Sequence, residues 1–317
     1  MKVDADPNPM SRTIQSVLTH DAARLVEALA LDYSTARIEV QTLLQHVLNT
    51  TRAYLLTYPE RCLSGVALRQ FETLLQRRLG GEPIAYLLGK REFFGLMLKV
   101  TPDTLIPRPE SELLVELALQ RIPPAFADNS QALQSSACPD IALPLSPRRA
   151  RFRVLDLGTG SGAIALAIAC TRPDVEVVAL DTSAAALAVA RENAGQLAIR
   201  NVRMLQSDWY SALYAQHFDL IVSNPPYISN SDPHLLQGDL RFEPVCALAS
   251  GDDGLNDIRR ISSLAPTYLN PGGWLMLEHG YDQSAQVAGI MRQAGFEEIN
   301  SSRDLAGIER VCCGRWP

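Results

Sequence analysis

No stretch of this chain is apolar for long enough to cross a bilayer. The run AIALAIAC near its middle falls far short of the roughly 20 residues that a spanning helix needs. No leader is expected either, because the start MKVDADPNPMSRT is polar and carries prolines. The cytoplasm is the expected compartment, and no membrane partner is expected. Six cysteines (Cys62, Cys138, Cys170, Cys246, Cys312 and Cys313) form no C-x-x-C pair and have no histidine nearby at metal spacing. Reduced, incidental or buried thiols are the expectation, with neither a disulfide framework nor a metal site. Basic charge is in deficit, at a formal net charge of −6. That argues against a protein that grips nucleic acid by neutralising phosphates, although it leaves a local basic patch open.

What the chain does have is length and pattern. Its 317 residues suffice for a substantial core and suggest two domains. Residues 1–12 read as a flexible tail. Residues 13–81 read as a small helical domain, with Ile38, Leu44, Val47, Leu48 and Leu55 recurring at helical intervals. Ser34 and Ser64 are the expected N-caps, and Gly80-Gly81 the stop. Residues 82–122 form a bridge: REFFGLMLKV suggests a hairpin turning at Gly95, and SELLVELALQRI a helix opened by its Ser-Glu first turn. Residues 123–149, rich in Pro, Ser and Ala without periodicity, read as a surface loop or flexible insert. From residue 150 onward strands and helices alternate, which implies a parallel sheet with helices on both faces, and the last two strands suggest an antiparallel hairpin at its edge.

Three features fall at the ends of successive strands. Asp156-Leu157-Gly158-Thr159-Gly160-Ser161-Gly162 joins the first strand to a helix expected to begin at Ser161 or Gly162. Its glycines permit positive φ and close backbone approach, and the helix start offers free N–H groups. No Gly-Lys-Ser/Thr follows, and the third glycine comes one residue early for a dinucleotide fingerprint. Asp181 ends the next strand, 23 residues past Gly158, near the spacing at which a carboxylate holds ribose hydroxyls. Capping the following helix is its other reading. After the third strand, Asp208 can accept from an adenine amino group, and Trp209 offers a flat apolar face to a purine or simply fills the core. Taken together, the three fit adenosine.

The fourth strand, HFDLIVSN, runs into Asn224-Pro225-Pro226-Tyr227. Pro225 holds Asn224 extended, and neither proline carries an N–H. The loop therefore presents fixed acceptors, the Asn224 side-chain oxygen and the Pro225 carbonyl, beside the Tyr227 ring. A planar –NH₂ group fits there. Acceptors aimed at its hydrogens favour the positive charge that builds on nitrogen during methyl transfer, and alignment with the methyl group supplies the rest.

The combination DLGTGSG, ALD, SDW and SNPPYI resembles the class I S-adenosylmethionine-dependent amino methyltransferases, which include enzymes acting on DNA adenine and ribosomal RNA guanine. The segments GEPIAYLLGKREFFGLMLKVTPDTLIPRPESELLVE, DPHLLQGDLRFEPVCAL, LEHG and RDLAGIERVCCGRW narrow the resemblance to the HemK/PrmC family, the glutamine methyltransferases of class I peptide chain release factors. A sibling family that methylates a ribosomal-protein glutamine is similar but resembles IPRSP where this chain has Ile106-Pro107-Arg108-Pro109-Glu110-Ser111. The resemblance implies a Rossmann-like fold with a mostly parallel seven-stranded sheet and a C-terminal antiparallel hairpin, preceded by a helical domain. It implies S-adenosylmethionine as donor, S-adenosylhomocysteine as product, and a release factor as protein partner. Donor contacts are implied at Gly158, Thr159, Gly160, Ser161, Gly162, Asp181, Trp209 and Asn224. Substrate contacts are implied at Asn224, Pro225, Pro226 and Tyr227, with Asn224, Pro225 and Tyr227 carrying the chemistry. A monomer without direct nucleic-acid contact is expected. The alternatives are a ribosomal-protein glutamine methyltransferase, a nucleic-acid amino methyltransferase, or a donor-binding scaffold without catalysis. The insert at 123–149 departs from the short connector usual in the family.

Overall fold

A computed structural model describes residues 12–124 and 151–317. The expected tail, Arg12 apart, and the expected insert, Pro123 and Pro124 apart, lie outside the described residues. The described residues divide into two units. One comprises 12–90 with the short stretches 100–102 and 233–243; the other comprises 91–99, 103–232 and 244–317.

The first unit is helical: α1 (Ile14–Leu29), α2 (Tyr33–Leu48), α3 (Arg52–Thr57), α4 (Gly65–Leu79) and α5 (Ile84–Leu88). Val17, Leu18, Leu25, Val40, Leu43, Leu44, Phe71 and Leu75 interlock in its core. Ser64 caps α4 as expected, accepting from the Ala67 N–H. Ser34 does not cap α2. Asp32 takes that place because its extended backbone precedes the first helical residue, and its carboxylate accepts from the Thr35 N–H and from the Ser34 hydroxyl. The periodicity read through Leu55 is also interrupted. Asn49 adopts a left-handed conformation (φ 46°) and Thr51 caps a new helix, so Leu55 is buried from α3 while Ile38 faces solvent. Buried Arg78 on α4 pairs with Glu39 (2.7 Å) and Asp239 (2.8 Å), which fixes residues 233–243 onto these helices.

A hairpin of β1 (Lys90–Phe93) and β2 (Leu96–Lys99) turns through Phe94 and Gly95, both at positive φ, as a two-residue hairpin turn requires. A tight turn at Pro109–Ser111 then leads into α6 (Glu112–Arg121). Helix α6 opens at Glu112 with Ser111 at its N-cap position, as expected of the Ser-Glu start, but the Ser111 side chain makes no capping hydrogen bond and instead accepts from Asn224.

The second unit is built on a seven-stranded sheet: β3 (Arg153–Leu157), β4 (Glu176–Asp181), β5 (Val202–Gln206), β6 (Phe218–Ser223), β7 (Leu269–Glu278), β8 (Glu297–Arg303) and β9 (Glu309–Arg315), in the order β5-β4-β3-β6-β7-β9-β8. The first five pair in parallel, and β9 runs antiparallel between β7 and β8. The expected α/β sheet with its terminal antiparallel hairpin is borne out. Successive side chains alternate between two cores. Val154, Val177 and Val222 pack with α6 and α7 (Ala163–Thr171). Leu155, Val178 and Ile221 pack with α9 (Asn256–Leu264) and α10 (Ser284–Gln293). Leu157 pairs with Leu180 on one side and Ser223 on the other. That register brings the residues after β3, β4 and β6 to one edge, at the point where strand order reverses. Open sheets of this kind bind ligands there.

Candidate active site

The glycine loop is held from below by the sheet. The N–H groups of Gly158 and Thr159 both donate to the Leu180 carbonyl, at 2.9 and 2.8 Å. Gly158, Gly160 and Gly162 all lie at positive φ. A Cβ on Gly160 would meet nothing within 4 Å, whereas one on Gly162 would meet Leu166 Cδ1 at 3.0 Å and Ala190 at 3.2 Å. The first glycine thus leaves room for a ligand; the second lets helices close up. Helix α7 begins at Ala163 with Gly162 as its cap, one or two residues later than expected, because the left-handed Gly162 cannot belong to the helix. Beneath the loop, the Thr159 hydroxyl donates to Asp156 at 2.6 Å. Burial pushes the Asp156 carboxyl up to about 7; the Thr159 hydrogen bond opposes the rise and the charge of Asp181 adds to it.

Asp181 joins the glycine loop to the next turn. Its carboxylate accepts from the Gly160 N–H and the Ser183 N–H, both at 2.8 Å. It is not the cap of α8 (Ala184–Gln196); Ser183 is, accepting from the Ala186 N–H. Burial raises the Asp181 pKa, and those backbone donors restrain the rise. Each carboxylate oxygen has a further lone pair for hydroxyl donors.

Trp209 stands at positive φ (50°), and its ring lies 3.6 Å from where a Gly158 Cβ would be. Its indole N–H donates to Asp257 at 3.1 Å, and Asp257 also accepts from the Ser250 hydroxyl at 2.6 Å. The ring is therefore anchored beside the glycine loop and only half-buried. Asp208 is exposed and forms a two-pronged ion pair with Arg260 of α9, at 2.7 and 2.8 Å. Its carboxylate is engaged by that guanidinium.

The Asn224–Tyr227 loop is fixed at both ends. Asn224 Nδ2 donates to Ser111 Oγ at 3.0 Å. This turns the amide so that Oδ1 faces away from Ser111. The Tyr227 N–H donates to the Leu248 carbonyl, and the Tyr227 carbonyl accepts from Gln283 Nε2 at 2.9 Å. Gly254 lies so close that a Cβ there would sit 2.2 Å from the Tyr227 carbonyl oxygen. The Tyr227 hydroxyl reaches Glu278 at 3.4 Å. Burial raises the Tyr227 pKa, with the nearby Glu278 carboxylate adding to it. Glu278 is itself buried, and burial pushes it up to about 7, opposed by the Ser111 hydroxyl and by Arg310.

Gly158, Thr159, Gly160, Ser161 and Asn224 line one cavity, together with Phe93, Pro107 and Ser111. Asp181 and Trp209 reach it through their contacts with Gly160 and Gly158, and Asp208, next to Trp209, pairs with Arg260. Ser111, Glu278 and Asp257 escaped the reading of the sequence. The signal for Glu278 is visible in retrospect: LMLEHG ends an apolar strand with an acid, as VVALD does. Asn193, also unforeseen, is buried on α8 and donates to the Ser161 and Lys99 carbonyls at 2.9 and 3.0 Å, holding the glycine loop to the hairpin.

Two family models match the chain: the PrmC N-terminal domain over residues 17–89 and the methyltransferase small domain over residues 141–237. A release factor glutamine methyltransferase of Salmonella typhimurium is 48% identical over 285 residues, covering 90% of this chain and 94% of its own length. That of Bordetella pertussis is 49% identical, covering 92% and 98%. The crystal structure of the hMettl16 catalytic domain aligns with a TM-score of 0.52 at 15% identity, over 84% of this chain and 93% of that one. That likeness is one of fold.

Proposed function

Because the chain belongs to the family of release factor glutamine methyltransferases, we propose that it methylates the side-chain amide nitrogen of the glutamine in the Gly-Gly-Gln motif of class I release factors. S-adenosylmethionine is the donor on this reading, and S-adenosylhomocysteine the product. The observation that carries it is the Asn224 amide. Its nitrogen is committed to Ser111, so its oxygen is the atom offered to an incoming amino group, in the same cavity as the glycine loop.

The residues present fit the donor. Open space beside Gly160 admits it against the backbone, the remaining lone pairs of Asp181 suit ribose hydroxyls, and the anchored Trp209 ring suits a purine face. When bound, the donor supplies an electrophilic sulfonium methyl group. The chain does the rest. Asn224 Oδ1 and the Pro225 carbonyl accept the two amide hydrogens, which favours the positive charge that builds on nitrogen and orients its lone pair. Pro226 and Tyr227 wall the acceptor. A strong base is unnecessary, because the proton is lost after transfer, when the nitrogen is acidic.

On the same reading, residues 13–81 hold the protein substrate and residues 150–317 carry the chemistry. Exposed Tyr33, Ile38, Leu56 and Val66 on the helical unit supply apolar surface for that partner. The protein acts in the cytoplasm as a monomer and takes no nucleic-acid substrate, in keeping with its net charge of −6. The test offers a release factor, a ribosomal protein, ribosomal RNA and DNA in parallel with methyl-labelled donor. Label is expected in the release factor. Label confined to another acceptor contradicts the proposal.

A further inference from the structure

Glu278 is a buried acid that the steps above do not use. It closes β7 at the edge where Asn224 closes β6, and it is 1% exposed. One group of the reactive loop and one from the turn before α6 converge on it. The Tyr227 hydroxyl donates to Oε1 at 3.4 Å, and the Ser111 hydroxyl, facing the same carboxylate, favours its charged form. Ser111 in turn accepts from Asn224 Nδ2. A serine hydroxyl has one proton and two lone pairs. If that proton points to Glu278, a lone pair is left for Asn224 Nδ2, and the amide must then present Oδ1 on its other side. A Ser111 proton pointing at Asn224 would favour the opposite amide orientation.

From this chain of contacts we infer that Glu278 is a positioning residue for methyl transfer, acting through Ser111 to hold the Asn224 amide with its oxygen toward the acceptor nitrogen. The inference rests on the reading of Asn224 given above. Oε2 of Glu278 has no hydrogen-bond partner among the described residues, so the protein bears the cost of burying this group for some return other than packing. The charged groups that bear on it are Arg310 from β9, which favours the carboxylate, and Glu110 from the turn before α6, which opposes it; the Tyr227 hydroxyl also favours it. His279 follows it in the chain and is buried, with Nδ1 against the Gly280 carbonyl. With its pKa raised to about 7, Glu278 passes from acid to carboxylate within the working range of pH. The orienting state gains population as pH rises.

The experiment measures kcat, the KM for a class I release factor and donor affinity for the wild type, Glu278→Gln, Ser111→Ala and the double variant, from pH 5.5 to 8.5. The expected result for Glu278→Gln is a kcat lower by about ten- to a hundredfold, as slight misplacement of a positioning group produces. KM and donor affinity should stay within about twofold, and the rise of kcat near pH 7 should disappear. Ser111→Ala should lose the same rise, and the double variant should fall no further than the worse single one. If Glu278→Gln does not fold, the pH profile of Ser111→Ala still decides: a retained rise near pH 7 overturns the inference. Multiplying losses in the double variant also overturn it, as does an unchanged kcat or a kcat that falls only together with donor affinity. A wild type that labels no release factor overturns the functional reading, and this inference with it.

Discussion

Asn224 Nδ2 donates to Ser111 Oγ at 3.0 Å, although the two residues stand 113 positions apart in the chain. The Asn-Pro-Pro-Tyr stretch supplies the acceptors, and the segment before α6 decides which way the asparagine faces. Asn224→Ala removes the acceptor and is expected to lower turnover by about 10²–10³-fold, the scale for loss of one preorganised polar partner. Donor affinity should largely survive, since the glycine loop, Asp181 and Trp209 are untouched. Steady-state rates with calorimetric donor titration check both halves. Near-normal turnover would remove Asn224 from its role.

Asp181→Ala is expected to weaken donor binding by roughly 1–3 kcal/mol, the range for a lost charged acceptor. The variant also frees the Gly160 N–H, so Asp181→Asn, which keeps a carbonyl oxygen for that donor, should lose less. Calorimetry on the pair separates ribose contact from loop support. Unchanged affinity in both would confine Asp181 to holding the loop.

Gly254→Ala tests the rear of the reactive loop. Its φ of +75° disfavours any side chain, and a Cβ would fall 2.2 Å from the Tyr227 carbonyl. A cost of about 1–3 kcal/mol in stability is expected from backbone strain alone, with turnover falling further as the loop is displaced. Chemical denaturation and turnover measured on the same sample check it. A variant as stable and as active as the wild type would contradict the packing described.

Acid and base should act on stability through Asp156. Its folded-state pKa is raised to about 7, so the folded protein keeps this proton to higher pH than the unfolded chain, which releases it near about 4. Its contribution to stability is greatest below that lower value and declines as pH climbs to about 7, staying low beyond. Glu278, also raised to about 7, acts in the same sense. Asp156→Asn, which keeps an acceptor for Thr159, should flatten this decline. Melting temperatures of both proteins between pH 4 and 8 test it, and parallel profiles would refute it.

Much of the fold was legible because its signals are local. Strand runs such as VEVVALD and HFDLIVSN are short, apolar and bounded, and each became the strand expected of it. Capping was less legible where two capping residues compete, as with Asp32 and Ser34. The break at Asn49 hid inside an otherwise helical period. At the candidate site, residues at strand ends could be read because the sheet aligns them. Ser111 and Glu278 could not, since their meaning lies in partners far away in sequence. Asp208, an acid at the same kind of position, also pairs with Arg260 from a later helix, a partner too distant in sequence to be read there.

The central claim is that the methyl group goes to an amide nitrogen of a protein glutamine. Mass spectrometry of a class I release factor, incubated with the purified protein and S-adenosylmethionine and then digested, tests it most directly. The account predicts one added methyl, on the side-chain amide nitrogen of the glutamine in the Gly-Gly-Gln motif, accumulating about 10²–10³-fold more slowly with Asn224→Ala. A methyl group on any other residue, or an unmodified release factor beside methylated ribosomal RNA, would contradict it.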